Sequence, residues 1–150
     1  MASIKTEVSG KMFLEWNNRW KSEKTCRQTR LMLPQTSSIF TKYLFRLDRV
    51  DASTVIQFVT GHNHLRYHQF KCGLSDSPMC RLCCLDDETA WHILTVCPAI
   101  LHSRTQIFLT YEINEVPHIK PLLEFLNLDS ISRLLRPSDC LDGDTPIQTA

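Results

Sequence analysis

Between positions 78 and 98 four residues have the types and the spacing needed to hold a metal ion. Cys80 and Cys83 are separated by two residues, His92 follows after eight and Cys97 after four more, giving C-x2-C-x8-H-x4-C. Two thiolates spaced in this way sit on one tight turn and grip a single ion, and a His and a Cys on a following helix close a tetrahedron around it. Soft sulfur with one imidazole in a closed four-coordinate shell is the ligand set of structural zinc, whereas a catalytic zinc keeps one position open for water. The expected cofactor is therefore zinc on Cys80, Cys83, His92 and Cys97, in a scaffolding or recognition role. Free cysteines are also common core residues, so the reading rests on the whole spacing and not on any single thiol. Cys84 complicates it by offering a thiol one residue later. The two-residue gap is the commoner grip, and Cys83 is assigned.

The elements that must position these ligands are helical. The acidic run Asp86, Asp87, Glu88 with Thr89 predicts a short helix over residues 86–96, stopped by Pro98, with Glu88 and His92 at i and i+4 on one face. Upstream, Met12, Phe13, Trp16 and Trp20 recur at three- and four-residue steps and predict a first helix over residues 11–24 with these side chains in the core. Ser37 or Ser38 is the expected cap of a second helix carrying Phe40, Tyr43, Leu44 and Leu47. Asp51 or Ser53 is that of a third carrying Val55, Ile56, Phe58 and Val59 and ending at Gly61. A fourth is expected from Asn63 to Lys71. Its His62, His64 and His68 lack the intervening acid of H-E-x-x-H and are left out of the site together with Cys72.

Beyond the metal segment, residues 99–109 continue as a helix with Ile100, Leu101, Ile107 and Phe108 inward and His102, Arg104 and Gln106 toward water. A last amphipathic helix begins around Pro117 and Pro121 and carries Leu122, Leu123, Phe125 and Leu126, continuing through Ile131 toward Leu135. The expected organisation is a flexible N-terminus (1–10), a basic helical segment (11–72), the metal segment (73–98), C-terminal helices (99–136) and a disordered tail (137–150). The fold class is all-α, a small helical domain with a knuckle-like CCHC hairpin plus helix.

Composition narrows the context. There is no basic start followed by an apolar run of signal-peptide length and no apolar window of 18 residues, so neither a leader nor a membrane span is expected. Seven cysteines, an odd number, point to ligands and core thiols in a reducing compartment, cytoplasmic or nuclear. The net charge of +1 hides an asymmetry. Residues 1–72 hold 12 of the 17 Lys and Arg against 5 of the 16 acids, a balance of +7, and residues 73–150 carry the compensating −6. Lys21, Lys24, Arg27 and Arg30 concentrate the positive charge ahead of Pro34 in a run suited to a phosphate backbone. Such a run also serves as a solvated connector.

The order of the pieces resembles the C-terminal region of the polyproteins of jockey-like non-LTR retrotransposons, which follows their reverse transcriptase and ribonuclease H domains. The resemblance lies in Trp16 and Trp20, T-C-R-Q-T-R (25–30), T-G-H-N-H-L-R-Y-H-Q-F (60–70), D-S-P-M-C-R-L-C (76–83), D-E-T-A-W-H (87–92), Cys97-Pro98 and L-L-E-F-L (122–126). It spans residues 11 to 135, and its zinc positions fall on the same four residues. Taken with the basic run, the expectation is a non-enzymatic zinc-binding module with RNA or DNA as partner through Lys21, Lys24, Arg27 and Arg30. The alternatives are a domain docking on the reverse transcriptase or ribonuclease H domains of the parent element, or a truncated relic. No acidic pair stands in a strand context able to hold two catalytic metals, so polymerase and nuclease activity are not expected.

Overall fold

The computed structural model describes residues 4–35, 37–110, 113 and 118–136, and the regular structure of these residues is helical. The helices are α1 (Ile4–Ser22), α2 (Arg27–Met32), α3 (Ser38–Leu44), α4 (Arg49–Thr60), α5 (Arg66–Lys71), α6 (Ala90–Thr95), α7 (Leu101–Phe108), α8 (Ile119–Leu126) and α9 (Asp129–Leu135), with a 3-10 turn at Pro98–Ile100. The all-α expectation holds. One isolated antiparallel bridge, Met79 with Asp87, closes the hairpin that carries the first two cysteines. Pro117 and the tail 137–150 lie outside the described residues.

Local capping explains most helix boundaries. Ser37 caps α3 by accepting from the Phe40 N–H at 3.1 Å. For α4 the cap is Asp48, three residues before Asp51, because its carboxylate reaches both the Val50 and the Asp51 N–H at 2.8 and 2.9 Å. Gly61 ends α4 in the left-handed region at φ 78°. Asn63, expected to open α5, instead folds the preceding loop: its side chain accepts from the Leu65 N–H and donates to the Gln57 carbonyl. The helix therefore starts at Arg66. The T-C-R-Q-T-R run contributes a helix of its own, α2, whose Met32 is fully buried.

Packing centres on α8. Its Ile119, Leu122, Phe125 and Leu126 are buried, and it packs against α3, α4, α7 and α9, with the Phe125 ring 5.4 Å from that of Phe108. Val55, Phe58 and Val59 give α4 its inner face, while Ile56 turns outward. One continuous core thus joins Met32 from the basic half with Cys80, Ile93, Cys97 and Leu134 from the acidic half.

The first helix departs most from expectation. It begins at Ile4 and not at Lys11, and its apolar stripe is not core: Met12 is 63% exposed, Phe13 48% and Trp16 67%. Inward packing falls to the last turns, where Asn17 is buried and the Trp20 indole N–H donates to the Leu33 carbonyl at 2.9 Å. Periodicity identifies a face but not its partner, and among the described residues this face has little protein over it.

Gly61 is constrained twice. Its positive φ disfavours a side chain, and a Cβ there would lie 2.8 Å from Cγ of Gln28 on α2. Gly61→Ala should cost roughly 1–3 kcal/mol in urea denaturation, the left-handed penalty plus displacement of Gln28. A loss under 0.5 kcal/mol would show that the α4 terminus relaxes freely.

Candidate metal centre

The ligand spacing works because the chain between Pro78 and Glu88 doubles back on itself. The Cys80 N–H donates to the Asp86 carbonyl and the Glu88 N–H to the Pro78 carbonyl, both at 2.8 Å, while the Cys84 N–H closes the turn on the Cys80 carbonyl at 2.9 Å. Closing that turn places Cys84 at φ 54°, in the left-handed region, with its side chain exposed. Cys83, one residue earlier, points back toward Cys80. The choice between the two thiols is therefore made by the turn.

The other two ligands come from α6 and its exit. Thr89 caps α6 by accepting from the His92 N–H at 3.0 Å, so the helix begins at Ala90 and not at Asp86 as expected. The acidic run belongs to the hairpin, and Glu88 does not share a helical face with His92. At the other end the Val96 and Cys97 N–H groups both donate to the His92 carbonyl. This turn folds Cys97 back beneath the helix, where Pro98 starts the 3-10 turn.

Cys80, Cys83, His92 and Cys97 thereby bring their ligand atoms within 4.8 Å of one another, and among the described residues this is the one group of three or more such side chains able to hold a metal ion. Cys83 Sγ lies 3.3 Å from Nε2 of His92. Tetrahedral coordination at metal–sulfur and metal–nitrogen lengths of about 2.3 and 2.0 Å asks for ligand separations of about 3.5–3.8 Å, so small side-chain adjustments suffice. Cys80 and Cys97 are fully buried and His92 is 4% exposed.

Burial and a shared hydrogen bond shift the titration of the cluster in opposite directions at its two buried thiols. A hydrogen bond with Cys97, reinforced by burial, pushes the Cys80 thiol far up. The same hydrogen bond holds the Cys97 thiol below its ordinary value, against burial and with help from the Ala99 N–H. Burial also lowers His92, against the pull of Asp86 and Glu88, and so favours the neutral imidazole that ligates metals. Its Nδ1 faces the Asp86 carboxylate at 3.6 Å, beyond hydrogen-bond reach but on the side where ligating histidines usually have a carboxylate.

Two charged residues near the cluster are buried, which the sequence reading did not anticipate. Glu88 is fully buried and accepts from the Arg66 N–H at 2.9 Å, the Arg81 N–H at 2.8 Å and the Arg81 guanidinium at 2.6 Å. Arg81 also donates to the His64 and Leu134 carbonyls. Arg104, expected in water, is only 2% exposed and donates from Nη1 to the Cys97 carbonyl at 3.2 Å. Its placement had a sequence signal, since Arg104 falls four residues after Ile100 and four before Phe108, within the apolar stripe. Glu88 had none, because its donors are scattered from Arg66 to Arg81.

The four residues expected to meet phosphates form no cluster around the metal centre. Lys21 is in the last turn of α1, Lys24 in the following turn, and Arg27 and Arg30 on α2; the first three are exposed. Arg30 is partly engaged, with its guanidinium 6.0 Å from the Trp20 ring centroid and a hydrogen bond to the Thr25 carbonyl. Elsewhere, the His62 and His68 rings meet edge-to-face at 5.2 Å, and Cys72 Sγ lies 3.7 Å from His68.

No known family model, curated protein or solved structure matches this chain. No helix among the described residues is long and apolar enough to cross a membrane.

Replacing Glu88 tests whether the hairpin depends on it. Glu88→Ala would leave two backbone N–H groups and a guanidinium without their acceptor. Because the Arg81 side chain keeps 22% exposure, the expected loss in chemical denaturation is roughly 2–4 kcal/mol, below that of a fully buried pair. A loss under 1 kcal/mol would mean that water replaces the carboxylate.

Proposed function

We propose that this chain is a non-catalytic, zinc-stabilised module that binds nucleic acid, related to the C-terminal region of jockey-like non-LTR retrotransposon polyproteins. The observation that carries the zinc reading is the convergence of three thiols and one imidazole in a buried cluster. Four protein ligands leave no position for a reactive water, so the centre is structural. An ion there would hold the Cys80–Cys83 turn against α6 and the start of the 3-10 turn. With the energetics of zinc-finger peptides, about 10–16 kcal/mol of apparent binding energy would be linked to folding.

The nucleic-acid reading is supported by exposed Lys21, Lys24 and Arg27 and by the contact of α2 with α6, which connects the basic run to the metal centre. These cations would meet phosphates and leave bases unread, so affinity depends on salt more than on sequence. A second reading, docking on the reverse transcriptase or ribonuclease H domains of the same polyprotein, is favoured by the exposed apolar face of α1, where Val8, Met12, Phe13, Leu14 and Trp16 are at least 48% exposed.

Elemental analysis of the purified chain should find one equivalent of zinc, with helical circular dichroism or melting temperature falling on chelation. Cys83→Ser should lose the metal and Cys84→Ser retain it; the reverse would overturn the ligand assignment, and absence of zinc would favour a relic. In filter binding, RNA or duplex DNA should be held at low salt and released as salt rises. Neutralising about three phosphates on a duplex gives a log–log slope of roughly −3. Lys21→Glu with Arg27→Glu should flatten that slope. If nothing binds at low salt, the docking reading takes precedence. It predicts that Met12→Ser with Trp16→Ser abolishes binding to a purified reverse transcriptase–ribonuclease H fragment of such an element without lowering the melting temperature.

A further inference from the structure

We propose that Arg104 is the counter-charge of the metal centre, a positioning residue whose buried guanidinium offsets the excess negative charge of three thiolates around a divalent ion. The inference rests on the metal reading above and adds a residue to it.

The starting point is an imbalance. Arg104 is 2% exposed, and among the described residues no carboxylate lies within ion-pair distance of it. Its Nη1 has the Cys97 carbonyl at 3.2 Å, and its Nε is buried without an acceptor. The other buried charge in this region, Glu88, is answered by Arg81 at 2.6 Å. Leaving a guanidinium in the interior without an anion costs several kcal/mol, so the fold must supply negative charge from another source.

The adjoining ligands can supply it. A divalent ion bound by one neutral imidazole and three thiolates carries a net charge of −1. That charge is centred on a cluster to which Cys97, the backbone partner of Arg104, belongs. The single positive charge of Arg104 brings the sum to zero at a cluster in which Cys80, His92 and Cys97 are buried. The Asp86 carboxylate stands 3.6 Å from Nδ1 of His92. Arg104 would lower the electron density on the coordinated sulfurs, making them less reactive toward electrophiles.

A purely structural Arg104 would fill space with its stem, and the test separates charge from volume. Zinc affinity would be measured by competition with a chromophoric chelator, and the thiol alkylation rate on the zinc-loaded chain, for wild type, Arg104→Met and Arg104→Lys. Methionine keeps an unbranched stem and removes the charge; lysine keeps the charge. Arg104→Met should bind zinc about 10–100-fold more weakly, the usual effect of losing an outer-shell partner, and its loaded form should alkylate faster. Arg104→Lys should recover at least part of both. Zinc binding by Arg104→Met within twofold of wild type would overturn the proposal, as would equal losses in the methionine and lysine variants. If Arg104→Met does not fold, Arg104→Gln, which keeps a donor for the Cys97 carbonyl without the charge, takes its place with the same criteria. Wild-type chain that takes up no zinc would instead remove the metal reading itself, and this inference with it.

Discussion

A carboxylate shut away from water must be surrounded by donors, and Glu88 finds them on distant parts of the chain. The Arg66 N–H at the start of α5, the Arg81 N–H within the cysteine turn and the Arg81 guanidinium converge on its two oxygens, and Arg81 extends the network to the Leu134 carbonyl on α9. The donors come from two separate segments, the start of α5 and the cysteine turn. Satisfying one buried anion therefore fixes the hairpin against α5 and α9 before any metal is considered. The ligand turn inherits its position from this network, since Arg81 lies between Cys80 and Cys83. Glu88 also directly precedes Thr89, the cap of the helix that presents His92.

The metal cluster and the core are one construction. Cys80 and Cys97 belong to the same apolar cluster as Ile93, Leu94 and Ile100, so the thiols are desolvated by the packing that buries their neighbours. Desolvation raises the cost of charge on every ligand; the Cys80–Cys97 hydrogen bond pushes Cys80 up and Cys97 down, and burial pushes His92 down. The four side chains that could hold an ion are local in sequence, but the apolar packing around them includes Met32 of α2 and Ile100 of the 3-10 turn.

α1 stands apart from this economy of burial. Its last turns are tied in by Trp20 and Asn17, while its middle presents Met12, Phe13, Leu14 and Trp16 to the outside. The Arg30 guanidinium near the Trp20 ring links this junction to α2, so the base of the exposed helix and the basic run share one anchor. Whatever meets the apolar face of α1 therefore approaches close to the cationic stretch, which is why the docking and nucleic-acid readings concern neighbouring surfaces.

Features settled within a few residues were legible in the sequence. The convergence of the four Cys and His side chains, the Ser37 cap, the Gly61 terminus and the helical class depend on short-range geometry, in which spacing and residue type are enough. Helix starts at Ala90 and Arg66 were less legible because competing side chains, Thr89 and Asn63, claimed the local N–H groups. The sequence by itself determined which side chains could ligate a metal and which faces were apolar. Only the tertiary structure decided that Glu88 is a buried anchor, that the partner of Arg104 is the Cys97 carbonyl, and that the stripe on α1 remains outside. Those outcomes depend on which distant surfaces meet, because the free energy of burying a charge or an apolar face is set by its partners and not by its own position in the chain.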